Sequence, residues 1–160
     1  MTLDAEVAQF ARTRPFSLLP REAVQLIAFS SVKRRLKAGE ILFHAGEEGE
    51  AGYFVHSGAI LLIGKGGPPE SARRVTAGAL IGEHALYAQV VRRVEARATD
   101  DALVVRVSRD TFRRVLAEFP AAADKVRAAL AERTRKLVDG LDAARLRSVE
   151  AAGPKSRAAP

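Results

Sequence analysis

The chain has 160 residues, 48% of them hydrophobic, which suffices for a single buried core. It has no cysteine, excluding disulfides and thiolate metal sites. No apolar run approaches the roughly 20 residues of a membrane span and no signal peptide opens the chain, so a cytoplasmic location is expected. The net charge of +7 would fit nucleic acid or an acidic membrane surface, but the favoured reading is an Arg- and Ala-rich composition with basic residues spread along the chain.

Residues Thr2 to Ser30 carry helical spacing, with Val7 and Phe10 followed by Val24, Ile27 and Ala28. Pro15 and Pro20 divide this stretch into two helices, and Pro20 suits a helix start. From Val32 to Val107 the pattern changes to short apolar runs, Ile41-Leu42-Phe43, Tyr53-Phe54-Val55, Ile60-Leu61-Leu62-Ile63 and Leu103-Val104-Val105, between glycine-rich turns. Such spacing predicts a sandwich or roll of about eight strands. Gly64-Lys65-Gly66-Gly67-Pro68-Pro69 reads as a loop, and it lacks the Lys-Ser/Thr ending of a phosphate-binding loop. Helical spacing returns at Ser108 with Phe112, Val115 and Leu116. Pro120 then opens a longer helix bearing Val126, Leu130, Arg133, Leu137 and Leu141. The Gly-, Pro-, Ala- and Lys/Arg-rich end of the chain predicts a disordered tail.

The most informative stretch is Ile81-Gly82-Glu83-His84-Ala85-Leu86, with Arg92 nine residues after Glu83. It reads as a strand end, a tight glycine turn, one short helical turn and a second strand opening with an arginine. The N–H groups that open a helical turn attract anions, and arginine adds a bidentate fork that fits phosphate. A carboxylate would repel phosphate but suits a neighbouring hydroxyl donor such as a ribose, and one ligand with both groups is a nucleotide. Simpler roles stay open: Glu83 as a first-turn acid, Arg92 as a solvated strand-edge residue, and Gly82–Leu86 as a corner without ligand. His44, His56 and His84 show no metal-ligand spacing, and Ser57 sits in no nucleophile-elbow pattern.

These residues resemble the cyclic nucleotide-binding domain family, the β-roll module of bacterial catabolite-type regulators, protein kinase A regulatory subunits and cyclic nucleotide-gated channels. The family's phosphate cassette runs roughly Phe-Gly-Glu-x-Ala-Leu, a short variable turn, then Arg and small residues. Here it reads Ile81-Gly82-Glu83-His84-Ala85-Leu86, Tyr87-Ala88-Gln89-Val90-Val91, then Arg92-Arg93-Val94-Glu95-Ala96-Arg97-Ala98, without a gap. Ala38-Gly39-Glu40, the glycines 46, 49 and 52 before Tyr53-Phe54-Val55, Ser57-Gly58 and Ser108-Arg109-Asp110-Thr111-Phe112 follow in the family's order.

The resemblance implies a mainly β fold, a double-stranded β-helix or jelly-roll-like β-roll over 31–107, with N-terminal helices over 1–30 and C-terminal helices over 108–148. Together they form one domain, 1–148, followed by a tail over 149–160. It implies that Glu83 receives a ribose hydroxyl and Arg92 pairs with the cyclic phosphate. Backbone groups near Gly82, Ala85 and Val94 complete the cradle, and Arg133 on the last helix closes over the base.

The chain also departs from the family's pattern. Arg93 stands where a small or hydroxylic residue is usual, and could add charge at the anion, point to solvent or fill the pocket. Val94 replaces a usual Ala, and Glu95 a common Thr. Strand alternation puts Arg93 and Glu95 together on the face opposite Arg92, where they could pair. Because guanine binders of the family often use a hydroxyl at the Arg93 position, the expected ligand is cAMP rather than cGMP.

No enzyme is expected, since phosphodiester chemistry wants a metal cluster or a base poised at a water. The residues after Leu141 are too few for a helix-turn-helix, so DNA binding by that route is not expected. Neither a membrane span nor a kinase pseudosubstrate is present. What remains is a stand-alone sensor without cofactor, signalling through its C-terminal helix to a partner protein or to a second copy in a homodimer. The alternative is an orphan scaffold of the same fold that no longer binds nucleotide.

Overall fold

The computed structural model describes residues 2–151; most of the tail expected over 149–160 lies outside them. The chain divides into two compact units, the first covering Met1–Ala123 and the second beginning at Asp124.

The first unit opens with two helices, α1 (Leu3–Phe10) and α2 (Arg21–Ser30), separated by a 3-10 turn over Phe16–Leu18. Thr2 caps α1 by accepting from the N–H of Ala5. Pro20 sits at the N-cap of α2, where its missing N–H costs nothing.

Ten strands follow: β1 (Val32–Leu36), β2 (Ile41–Phe43), β3 (Glu48–Gly49), β4 (Ala51–Ser57), β5 (Ala59–Gly64), β6 (Arg73–Thr76), β7 (Leu80–Ile81), β8 (Val90–Val91), β9 (Val94–Ala98) and β10 (Ala102–Ser108). All pairs are antiparallel. They form two four-stranded sheets, ordered β1-β10-β4-β7 and β2-β9-β5-β6, and a two-stranded clasp, β3-β8. This is the expected β-roll, with about eight strands raised to ten by pairs only two residues long.

The core lies between the two larger sheets, where Leu36, Phe43, Val55, Ile60, Ala96 and Val104 are buried together. The first sheet is covered on its other face as well. Phe54 of β4 packs its ring 4.7 Å from that of Phe10 in α1, and Phe10 lies 5.1 Å from Phe16. Phe16 in turn meets Phe112 of α3 (Arg109–Glu118) at 6.3 Å. Coverage on both faces explains why β4 and β10 read as continuous apolar runs rather than as alternation. Burying rings of this size contributes about 1.5–3 kcal/mol each.

The second sheet faces solvent on its outer side, and β9 alternates accordingly: Ala96 and Ala98 are buried and Arg97 is exposed. Ser108 caps α3, accepting from the N–H of Thr111 at 3.1 Å. A last helix, α4, runs from Pro120 to Ala151; the second unit begins within it. On the part of α4 beyond Asp124, Leu137, Val138, Leu141 and Leu146 are exposed.

Candidate functional site

Gly82 follows β7 with φ 70° and ψ 35°, the left-handed region that glycine enters at no steric cost. This reversal starts a 3-10 turn over Glu83–Leu86. Ala85 closes the turn by donating its N–H to the Gly82 carbonyl at 3.1 Å, and its methyl is fully buried. Glu83 points toward Tyr87, whose hydroxyl donates to Glu83 Oε1 at 2.7 Å.

Arg92 is the unusual residue. Among the described residues only two charged side chains are buried, Glu6 and Arg92. Glu6 has a counter-charge, Lys33 at 2.6 Å. Arg92 has no ion-pair partner among the described residues. Its Nη2 donates to the Ala51 carbonyl, and its guanidinium stacks 4.4 Å above the Phe43 ring and 5.9 Å from that of Tyr53. Burial pushes its pKa below the usual arginine range; Tyr53 and Glu47 partly restore it, and the nearby Arg106 cation lowers it further. A buried cation compensated only in part is costly, and an arriving anion would relieve that cost.

The clasp of β3 and β8 positions this side chain. Gly49 pairs with Val90, and Glu48 with Val91. The Arg92 N–H donates to the Glu47 carbonyl at 2.7 Å, and the Arg92 carbonyl accepts from Gly46 at 2.8 Å. A Cβ at Gly49 would stand 2.8 Å from Arg92 Cζ, and one at Gly82 would collide with Nη1. A side chain at either glycine would therefore have to displace the guanidinium, and at Gly82 it would also meet the left-handed backbone.

Arg92 forms part of the wall of a cavity of about 820 Å³. Its lining is largely apolar, with Phe43, Leu62, Ile81, Ala85, Val90, Val91 and Val94, and also includes Gly82, His84, Arg92 and Arg93. Of the seven residues proposed from sequence, five line this cavity: Gly82, Ala85, Arg92, Arg93 and Val94. Glu83 belongs to the same turn but is not in the lining. Arg133 lies on α4 in the second unit, where it is exposed.

One expectation needs correction: Glu95 does not pair with Arg93; it pairs with Arg97 at 3.3 Å. Arg92 and Arg93 lie between β8, which ends at Val91, and β9, which begins at Val94; Arg92 is buried, Arg93 is exposed, and both belong to the cavity lining. Sequence reasoning passed over Phe43 as the ring under the guanidinium and Gly49 as its seat. The signal for Gly49 was the closely spaced series of glycines at 46, 49 and 52. Among the described residues no cluster of acids and histidines could hold a metal, and no helix is long and apolar enough to cross a membrane.

The β-roll thus holds a buried arginine, with no ion-pair partner among the described residues, in the wall of a largely apolar cavity. The family model for the cyclic nucleotide-binding domain matches residues 33–119, more than half of the chain, and the protein belongs to that family. Among solved structures it is similar to a cyclic nucleotide-binding-like protein from Brucella abortus, at 32% identity and TM-score 0.64 over 71% of this chain and 99% of that one. It is also similar to the N-terminal domain of a transcriptional regulator from Streptomyces coelicolor, at 25% identity and TM-score 0.73 over 82% of this chain and 93% of that one. Among curated proteins, Lysophospholipase NTE1 of Chaetomium globosum is 30% identical over 125 residues, 77% of this chain and 8% of that protein. The chain thus spans a small fraction of the length of the curated relatives it matches.

Proposed function

We propose that this domain binds a cyclic nucleotide, cAMP in preference to cGMP, and acts by binding rather than by catalysis. The observation that carries the reading is Arg92, a buried cation with no ion-pair partner among the described residues, in the wall of a largely apolar cavity. In this reading the cyclic phosphate takes the Arg92 fork, the Glu83 carboxylate accepts a ribose hydroxyl, and Gly82, Ala85 and Val94 shape the cradle. Phe43, Leu62 and Val90 supply apolar surface. Arg133 on α4 is assigned the base contact by the resemblance alone. The bound state is reported through the C-terminal helix, whose exposed Leu137, Leu141 and Leu146 offer a surface to a second copy or a partner protein. The hydrolase activity in the name of the fungal relative is not carried over, because the match covers so little of that protein.

One observation favours a second reading, a scaffold that binds no nucleotide: Arg92 already has the Ala51 carbonyl and the Phe43 ring as partners. Isothermal titration with cAMP and cGMP separates the two. Removing one partner of a buried charge pair costs about 2–5 kcal/mol, so Arg92→Ala should weaken cAMP binding on the order of 30-fold or more. Saturable binding lost in this variant, with its fold checked by circular dichroism, supports the first reading. No binding by the wild type supports the second.

A further inference from the structure

Gly82, His84 and Ala85 line the cavity, and Glu83, in the same turn, does not. Its carboxylate is held instead by the residue four positions on: the Tyr87 hydroxyl donates to Glu83 Oε1 at 2.7 Å, a length typical of a charge-assisted bond. Both residues are half-buried, a setting in which a phenol takes a partner for its hydroxyl. Tyr87 is outside the cavity lining too. Its ring packs edge-on against Phe112 of α3, centroid to centroid 5.9 Å, and Phe112 is fully buried. The Tyr87 N–H donates to the His84 carbonyl at 3.1 Å. Tyr87 is thus anchored on α3 and holds the Glu83 carboxylate outside the cavity that Arg92 helps to wall.

We propose that Tyr87 is a positioning residue that sets the affinity for a ribose hydroxyl by competing with it for Glu83. This rests on the reading that Glu83 accepts the ribose hydroxyl, and goes further by naming the bond the ligand must displace. A carboxylate accepts several hydrogen bonds at once. A ligand in the cavity, however, reaches this one only if the Glu83 side chain swings inward, and the hydroxyl of a ring anchored on Phe112 does not follow. A phenol and a sugar hydroxyl offer a carboxylate the same kind of bond, so the exchange is close to balanced. Apparent affinity falls by the fraction of molecules in which Glu83 is turned inward. A net hydrogen bond of ordinary strength shifts such an equilibrium by about 2- to 10-fold.

The test is isothermal titration of the wild type and Tyr87→Phe with cAMP and with 2′-deoxy-cAMP, which keeps the cyclic phosphate and lacks the free ribose hydroxyl. Phenylalanine keeps the ring on Phe112, and circular dichroism checks the fold. Tyr87→Phe should bind cAMP about 2- to 10-fold more tightly than the wild type does and 2′-deoxy-cAMP equally well, so the ratio of the two affinities widens by that factor. A change in packing alone would move both ligands together. Where the wild type prefers cAMP, a ratio that stays the same or narrows in Tyr87→Phe overturns this proposal and leaves Glu83 as the ribose acceptor. A ratio of about 1 in both proteins overturns the proposal together with the ribose role of Glu83, and leaves the phosphate site at Arg92 standing. Failure of both nucleotides to bind either protein overturns the nucleotide site itself.

Discussion

Gly49→Ala is the cleanest perturbation of the guanidinium seat. Gly49 has no positive φ, so alanine meets no backbone strain there; its difficulty is space. The added methyl would lie 2.8 Å from Arg92 Cζ, 2.9 Å from Nε and 2.9 Å from Val90 Cγ2. Carbon contacts settle near 3.5–4.0 Å, so the guanidinium must retreat by about 0.7–1.2 Å. Phe43 lies 4.4 Å below it, and the displacement stretches the bond to the Ala51 carbonyl. The stability cost should be near the low end for overpacking, about 1 kcal/mol, because the far end of a long side chain does most of the moving. A loss of that size lowers Tm by about 2–4 °C in a chain of this length. Binding should suffer more. A hydrogen bond to a charged group is worth about 1.5–3 kcal/mol, so a misplaced fork should weaken cAMP affinity about 10- to 150-fold. Gly39→Ala is the control: φ is 89° there and nothing lies within 4 Å, so it should cost about 1–2 kcal/mol of stability and leave affinity alone. Thermal melts and titration calorimetry on both variants decide the matter. Wild-type affinity in Gly49→Ala, or an equal loss in Gly39→Ala, refutes the seat.

Phe43→Leu removes the ring beneath Arg92 and should cost about 0.5–2 kcal/mol through the lost cation–π contact, read as a lower Tm together with a weaker cAMP Kd. Gly140→Ala should raise helix stability by about 1 kcal/mol, since Gly140 lies inside α4 with open space around its Cβ position; far-ultraviolet circular dichroism during a melt checks it. Leu137→Asp combined with Leu141→Asp, both exposed at 66% and 55%, should leave the melting of the β-roll unchanged and abolish any self-association seen by light scattering.

Much of this architecture is written locally. Ile41–Phe43, Tyr53–Val55, Ile60–Ile63 and Leu103–Val105 each fall within an observed strand, because a short apolar run bounded by turn residues marks a buried strand. Pro20, Pro120 and Ser108 mark three helix starts for steric and hydrogen-bonding reasons that need no tertiary context. The clasp does not show this way. β3 and β8 are two residues each, too short to carry a period, and they form because the chain before β4 is brought alongside the chain before Arg92. The stack of Arg92 on Phe43 is likewise a meeting of residues distant in sequence. The expected pairing of Glu95 with Arg93 failed because Glu95 meets Arg97, two residues on along its own strand, instead. Gly82 and Arg92 were legible because a tight turn and a phosphate fork each impose a residue type.

The most direct test of the central claim is a crystal structure of the protein with cAMP. The account places the cyclic phosphate within hydrogen-bond reach of both outer nitrogens of Arg92, in the cavity walled by Gly82, Ala85 and Val94, with the ribose hydroxyl at Glu83. An empty cavity at saturating cAMP, with Arg92 still bound to the Ala51 carbonyl, or a nucleotide bound elsewhere on the chain, would contradict it.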